Sequence, residues 1–235
     1  MFLFLSIYNE NEYYNEMLIQ MNDYIKSINR NDFSYFFILF KKIDIEYYVD
    51  YENNILVMNG EESYIPGILN KTIKAIDILT NKLKIEYKFL IRTTVATSIN
   101  IPKLIDLLNN LDENKSYYIG NLQRLQWIDH YNRIFDETHW GTIFSGGAFS
   151  IFSKKIAVDM IKNKDKFVYD IADDVSIGKF INNLEGIDYL DWGELAEYHG
   201  RWNECKVVYF NNTNKNNRII DVNNQKIINE NLLKN

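Results

Sequence analysis

Three short stretches hold the residue types that could do chemistry. Tyr169–Phe180 (YDIADDVSIGKF) carries two adjacent carboxylates, Asp173 and Asp174, where a helical pattern begins. A carboxylate in a cleft can take a proton from a reacting hydroxyl. The plainer use of an Asp pair there is a helix cap and a complement to the helix dipole. Ser145–Lys155 (SGGAFSIFSKK) places Gly146 and Gly147 before a strand-like run, and glycine lets backbone approach a ligand closely. Tyr87–Leu108 (YKFLIRTTVATSINIPKLIDLL) is a buried-strand pattern that ends at Arg92-Thr93-Thr94, followed by Asn100-Ile101-Pro102 opening a helix.

The elements that must position these groups alternate along the chain. Phe2–Tyr8, Ser34–Phe40, Asn54–Met58, Tyr87–Thr93, Ser116–Ile119 and Ala148–Phe152 read as strands, with late strands at Ile187–Leu190 and Val207–Phe210. Asn11–Ile28, Tyr64–Leu83, Pro102–Leu108, Ser153–Lys162 and Asp174–Asn182 read as helices. Asn211–Asn217 reads as a solvated loop before a short helix near Ile227. Strands alternating with helices predict an α/β fold, a mostly parallel sheet covered on both faces. No internal repeat or linker divides residues 1–235, so one domain is expected. In such sheets ligands sit beyond the carboxyl ends of the strands, here after Ile7, Phe40 and Ile91.

Composition narrows the classes. The 235 residues contain one Cys and two Pro and carry a net charge of -6. A lone Cys excludes a disulfide framework or a Cys-based zinc site. The acidic balance argues against nucleic acid as a partner. Met1–Tyr8 is apolar but far too short for a membrane span and has no basic region before it. These features predict a soluble cytoplasmic protein. The heavy use of Asn, Ile, Lys and Tyr suggests an A/T-rich source, such as a low-GC bacterium or a large DNA virus. His130, His139 and His199 are dispersed, without metal-ligand spacing. Trp127, Trp140, Trp192 and Trp202 could stack on sugar faces or fill a core. Trp140, just ahead of the glycine pair, is the best platform.

Taken in order, these stretches resemble the fringe and β-1,3-galactosyltransferase superfamily, inverting glycosyltransferases of the GT-A fold. Arg92-Thr93 with Asn100-Ile101-Pro102 matches the family's strand end and following helix. Glu62-Ser63-Tyr64 with Leu69-Asn70-Lys71-Thr72 is similar to its Asp-Ser-Tyr and Leu-Thr-Leu-Lys-Thr stretch. Ser145-Gly146-Gly147-Ala148 with Ser153 is similar to its Gly-Gly strand, and Asp173-Asp174-Val175-Ser176-Ile177-Gly178 to its Asp-Asp-Val-x-x-Gly motif. The match runs from about Glu62 to Phe180.

The resemblance implies sugar transfer from a nucleotide sugar, UDP-linked by analogy, to a hydroxyl of a glycan or glycoconjugate acceptor. Asp174 would be the general base, and Asp173 would orient it. Gly146 and Gly147 would leave room for the donor sugar, next to Arg92, Thr93 and Thr94. Ser6, Tyr8 and Asn9 would hold the nucleotide base by their place in the topology. Trp140 and Trp202 would stack on sugar.

The chain departs from the family at one point. Thr94, Val95 and Ala96 stand where the family has three acids holding manganese or magnesium, and no Asp-x-Asp occurs anywhere. A hard cation needs several charged oxygens. Either Arg92, Arg201 or a Lys neutralises the leaving diphosphate, or other groups such as His199 hold a metal, or catalysis is lost. The last case gives the alternative, a non-catalytic nucleotide-sugar or glycan-binding protein. A nucleotidyltransferase is disfavoured, because Tyr8–Glu12 has no glycine-rich phosphate loop.

Overall fold

The computed structural model describes residues 1–198, 206–210 and 218–234. Its centre is β1 (Phe2–Ile7), all six residues buried. The strand is apolar throughout because it has a parallel neighbour on each side: β2 (Phe33–Lys41), with Ile7 opposite Ile38, and β5 (Phe89–Thr94), with Ile7 opposite Thr94. Strands covered on both faces carry such continuous apolar runs. On the β2 side follow β4 (Ile55–Asn59), parallel, and the edge strand β3 (Tyr47–Asp50), antiparallel. On the β5 side β8 (Ile143–Ser153) runs antiparallel, then β7 (Ser116–Arg124) antiparallel to it, then β9 (Ile187–Asp191) parallel to β7. The expected mixed, mostly parallel sheet is present, with eight strands in the order β3-β4-β2-β1-β5-β8-β7-β9. A second sheet joins β10 (Ala196–Tyr198), β11 (Val208–Phe210) and β6 (Thr97–Ile99).

Period-two alternation along β1 divides the core into two layers. Phe2 and Phe4 face α1 (Glu12–Ser27), α3 (Ile101–Asn109) and α6 (Arg218–Leu232). Leu3, Leu5 and Ile7 face α2 (Gly67–Asp77), α4 (Lys154–Lys162) and α5 (Asp173–Asn182). Local signals start two of these helices where expected. The Asn11 side chain accepts from the Tyr14 N–H at 2.9 Å, and Asn100 accepts from Lys103 N–H at 3.2 Å.

Several boundaries differ from the sequence expectation. The helix expected over Tyr64–Leu83 begins at Gly67 and ends in a π-helical turn over Ile78–Lys82. Pro66 disfavours helical dihedrals at the residue before it. β3 and β6 are short, and neither showed an alternating pattern long enough to read. β8 starts at Ile143, so Gly146 and Gly147 lie inside that strand and not ahead of it. The final helix is not a short appendage to a solvated tail. It spans 15 residues and buries Ile228 and Leu232 in the first core layer. Burial of each such side chain contributes about 2 kcal/mol, enough to dock the helix. The Asn211–Asn217 tract lies outside the described residues.

Candidate active site

A cavity of about 530 Å³ opens beyond the carboxyl ends of β1 and β5. Tyr8 and Asn9 continue β1 into it. Thr94, Val95 and Ala96 line it from the turn between β5 and β6, and Gly146, Gly147 and Ala148 from β8. Asp173 and Asp174 reach it from the first turn of α5. The pairing of β7 with β8 shifts between Leu122–Ser145 and Gly120–Ser150, which frees residues 146–149 of β8 from β7. Bulges of this kind are common beside active sites, where they redirect the chain. α5 can lie this close to β8 because of Gly178. A Cβ there would stand 2.5 Å from the Ile143 carbonyl oxygen and 2.6 Å from Phe144 Cβ.

The two carboxylates have different environments. Asp173 forms a buried ion pair with Arg92, Oδ2 to Nη2. Arg92 also donates from Nη1 to the Gly147 carbonyl at 2.7 Å and from Nε to Thr72 Oγ1 at 3.4 Å. Asp174 accepts through Oδ2 from the Gly147 N–H at 3.1 Å and through Oδ1 from the Val175 N–H at 2.8 Å. Burial, and next the charge of Asp173, push the Asp174 carboxyl up to about 6 against the opposing pull of Val175 N–H, Arg92 and Gly147 N–H. A carboxyl raised in this way can exchange a proton in the cavity at mildly acidic pH.

Behind the β1 end lies Lys71, fully buried on α2. Its Nζ donates to the Tyr8 carbonyl and to Asn9 Oδ1, each at 2.9 Å, and to Glu62 Oε1 at 2.5 Å. Glu62 Oε1 also accepts from Phe40 N–H at 2.9 Å. Burial lowers the Lys71 pKa. The Lys thus fixes the backbone where β1 enters the cavity. Tyr64 stands at the cavity wall with its ring 5.2 Å from that of Tyr131, and burial and next Asp174 raise its pKa.

Of the residues expected at the site, Tyr8, Asn9, Arg92, Thr94, Gly146, Gly147, Asp173 and Asp174 line this one cavity. Ser6 and Thr93 do not. Both are fully buried in their strands, Ser6 on the Phe4 face of the sheet and Thr93 donating to the Ala148 carbonyl at 3.1 Å. Trp140 is 41% exposed and does not line the cavity either. His199, Arg201 and Trp202 lie outside the described residues. His139 Nδ1 lies 2.8 Å from Lys179 Nζ, and His130 stands against Phe135. Sequence reasoning missed Tyr14, Asn121, Gln123 and Arg218, which also line the cavity. No local pattern marks them, and Arg218 directly follows the polar tract that reads as loop.

Among the described residues the donor set does not fit a divalent cation. At the position where the resembling family holds its metal, Thr94 Oγ1 lies 3.0 Å from Thr97 Oγ1, and the Val95 and Ala96 side chains are buried and apolar. Asp173 is committed to Arg92. Among the described residues no three His, Cys, Asp or Glu side chains cluster to ligate a metal.

No family model matches the chain. No curated protein matches it either. Solved structures do match. The chain is similar to a glycosyltransferase involved in the glycosylation of the major capsid of PBCV-1, with a TM-score of 0.53 and 10% identity over 96% of this chain and 98% of that one. It is more loosely similar to the galactosyltransferase LgtC in complex with donor and acceptor sugar analogs, with a TM-score of 0.49 and 9% identity over 98% and 96% of the two chains. The first likeness shows the fold: the chain has a GT-A-like fold. Among the described residues no helix is long and apolar enough to cross a membrane.

Proposed function

We propose that this chain is an inverting glycosyltransferase that moves a sugar from a nucleotide sugar, a UDP-sugar first among candidates, to a hydroxyl of a glycan or glycoconjugate. The observation that carries this reading is Asp174. Its carboxylate lies at the wall of a cavity beyond β1 and β5, is held by two backbone N–H groups, and titrates near 6. Asp174 accepts the acceptor hydroxyl proton while the acceptor oxygen bonds to the anomeric carbon. The bond from that carbon to the phosphate oxygen breaks, and the nucleoside diphosphate leaves with the electron pair. Asp173 and Arg92 hold the first turn of α5 and the Gly147 carbonyl in place, and so position Asp174.

In this proposal residues 1–235 form one catalytic domain. The test is turnover of a panel of nucleotide sugars, with acceptor sugars and with water alone, followed by assignment of the product anomer. Wild-type protein is expected to release nucleoside diphosphate and invert the anomeric centre. Binding of nucleotide with no turnover of any donor would favour a non-catalytic binding protein on this scaffold. Retention of configuration would remove Asp174 from the role of base.

A further inference from the structure

A leaving diphosphate needs positive charge beside it, and the cavity offers two cationic side chains among its described lining residues, Arg92 and Arg218. Arg92 is enclosed by Asp173, the Gly147 carbonyl and Thr72. Lys71, just behind the wall, is fully buried and donates to three oxygens. Arg218 is the first residue of α6, and its side chain is 15% exposed at the cavity. α6 is fixed against the turn that replaces the family's acidic triplet, because Gln225 Nε2 donates to the Val95 carbonyl at 2.7 Å.

We propose that Arg218 binds the donor diphosphate beside Thr94–Ala96, so that the chain supplies from α6 the charge that the resembling family obtains from a metal. The inference rests on the glycosyltransferase reading. Its geometry is that of a prepared anion ligand. The guanidinium lies over the Tyr14 ring, 5.4 Å from the centroid. Nη2 donates to the Tyr14 hydroxyl at 3.1 Å, and Nη1 pairs with Asp221 Oδ2 at 3.0 Å. A guanidinium has five N–H groups in a planar fork suited to phosphate oxygens. Among the described residues, Asp221 and Tyr14 take one each. Asp221 is buried behind Arg218 and offsets part of its charge. The contribution is therefore directed hydrogen bonding more than long-range attraction. It distinguishes a diphosphate from a bare nucleoside, whose base and ribose would meet the Tyr8–Asn9 end of the cavity.

The experiment is calorimetric titration in EDTA with UDP, ADP, GDP and CDP, each beside its own nucleoside. Wild-type protein is expected to bind one diphosphate at least tenfold more tightly than its nucleoside. Arg218→Gln should lose about tenfold or more of that diphosphate affinity and leave nucleoside affinity unchanged, and Arg218→Lys should retain part of it. Because Arg218→Gln strands the buried Asp221 carboxylate, Arg218→Gln/Asp221→Asn is measured beside it, with thermal melting to confirm folding. If the folded double variant keeps the wild-type ratio of diphosphate to nucleoside affinity, the assignment of Arg218 is overturned. It is also overturned if wild-type protein binds diphosphate only after manganese is added, and in both cases donor turnover would leave the glycosyltransferase reading standing. Failure of every diphosphate to bind wild-type protein, with or without manganese, would overturn both.

Discussion

Arg92 and Asp173, separated by 81 positions in sequence, form a buried ion pair that joins the end of β5 to the first turn of α5. Arg92 also holds the Gly147 carbonyl, while the Gly147 N–H holds Asp174. One strand residue thus links the glycine bulge to both acids. In the proposed reaction Asp173 and Arg92 would position Asp174, the carboxylate left to accept a proton.

Removal of one partner from a buried pair leaves an uncompensated charge. Arg92→Met is expected to cost about 3–5 kcal/mol, read by urea denaturation, and Arg92→Met/Asp173→Leu should recover most of it. Arg92 also lowers the Asp174 pKa, so any activity left in the single variant should have its acid limb moved to higher pH. A loss under 1 kcal/mol with an unmoved limb would contradict the linkage.

Activity should rise with pH through an apparent pKa near 6, as Asp174 ionises. Asp174→Asn should lower turnover about 100- to 10,000-fold. The sign for stability is opposite. A carboxyl whose pKa rises on folding adds no penalty below the unfolded value near 3.8, and it destabilises the fold increasingly as pH rises through 6. The melting temperature of Asp174→Asn relative to wild type should therefore climb between pH 4 and 6 and then level. The gain should reach roughly 1–2 kcal/mol, since access of water at the cavity wall reduces the full effect. A flat difference across that range would show that Asp174 is not perturbed.

The glycines separate room from packing. A Cβ on Gly146 meets nothing within 4 Å, and one on Gly147 reaches ordinary contact, 3.6 Å from Arg92 Nη1 and 3.8 Å from Asp174 Oδ2. Gly147→Ala should fold within about 0.5 kcal/mol of wild type and lower turnover by taking up space at the cavity wall that the donor sugar would use. Gly178→Ala meets backbone and should cost about 1–3 kcal/mol. Chemical denaturation and donor turnover of both variants check this, and the reverse ranking of stability would refute the packing argument.

Lys71→Met removes the donor shared by Tyr8, Asn9 and Glu62. It should cost about 3 kcal/mol and weaken binding of the nucleoside more than of the diphosphate group. An isolated effect on diphosphate binding would instead place Lys71 among the phosphate ligands.

The sequence by itself determined the alternating α/β plan, since each strand and helix carries its own period in adjacent residues. It also placed the acids at the start of α5, and the family resemblance assigned the glycine pair to the donor sugar and marked the missing acids at Thr94–Ala96. Gly178 was legible as part of the Asp-Asp-Val-x-x-Gly pattern, but its cause, the contact with Ile143, was not. Only the tertiary structure decided which side chains reach the cavity. Ser6 and Thr93 belong to the right strands but point into the sheet layers, because orientation along a strand alternates and depends on pairing register. Arg92 was one of the cations the sequence offered for the diphosphate; it lines the cavity, and the fold pairs its guanidinium with Asp173. Arg218 follows a tract with no periodic signal and reaches the cavity because Ile228, Leu232 and Gln225 dock α6 against the core and the Val95 carbonyl. Such contacts join residues far apart in sequence, and no local pattern records them.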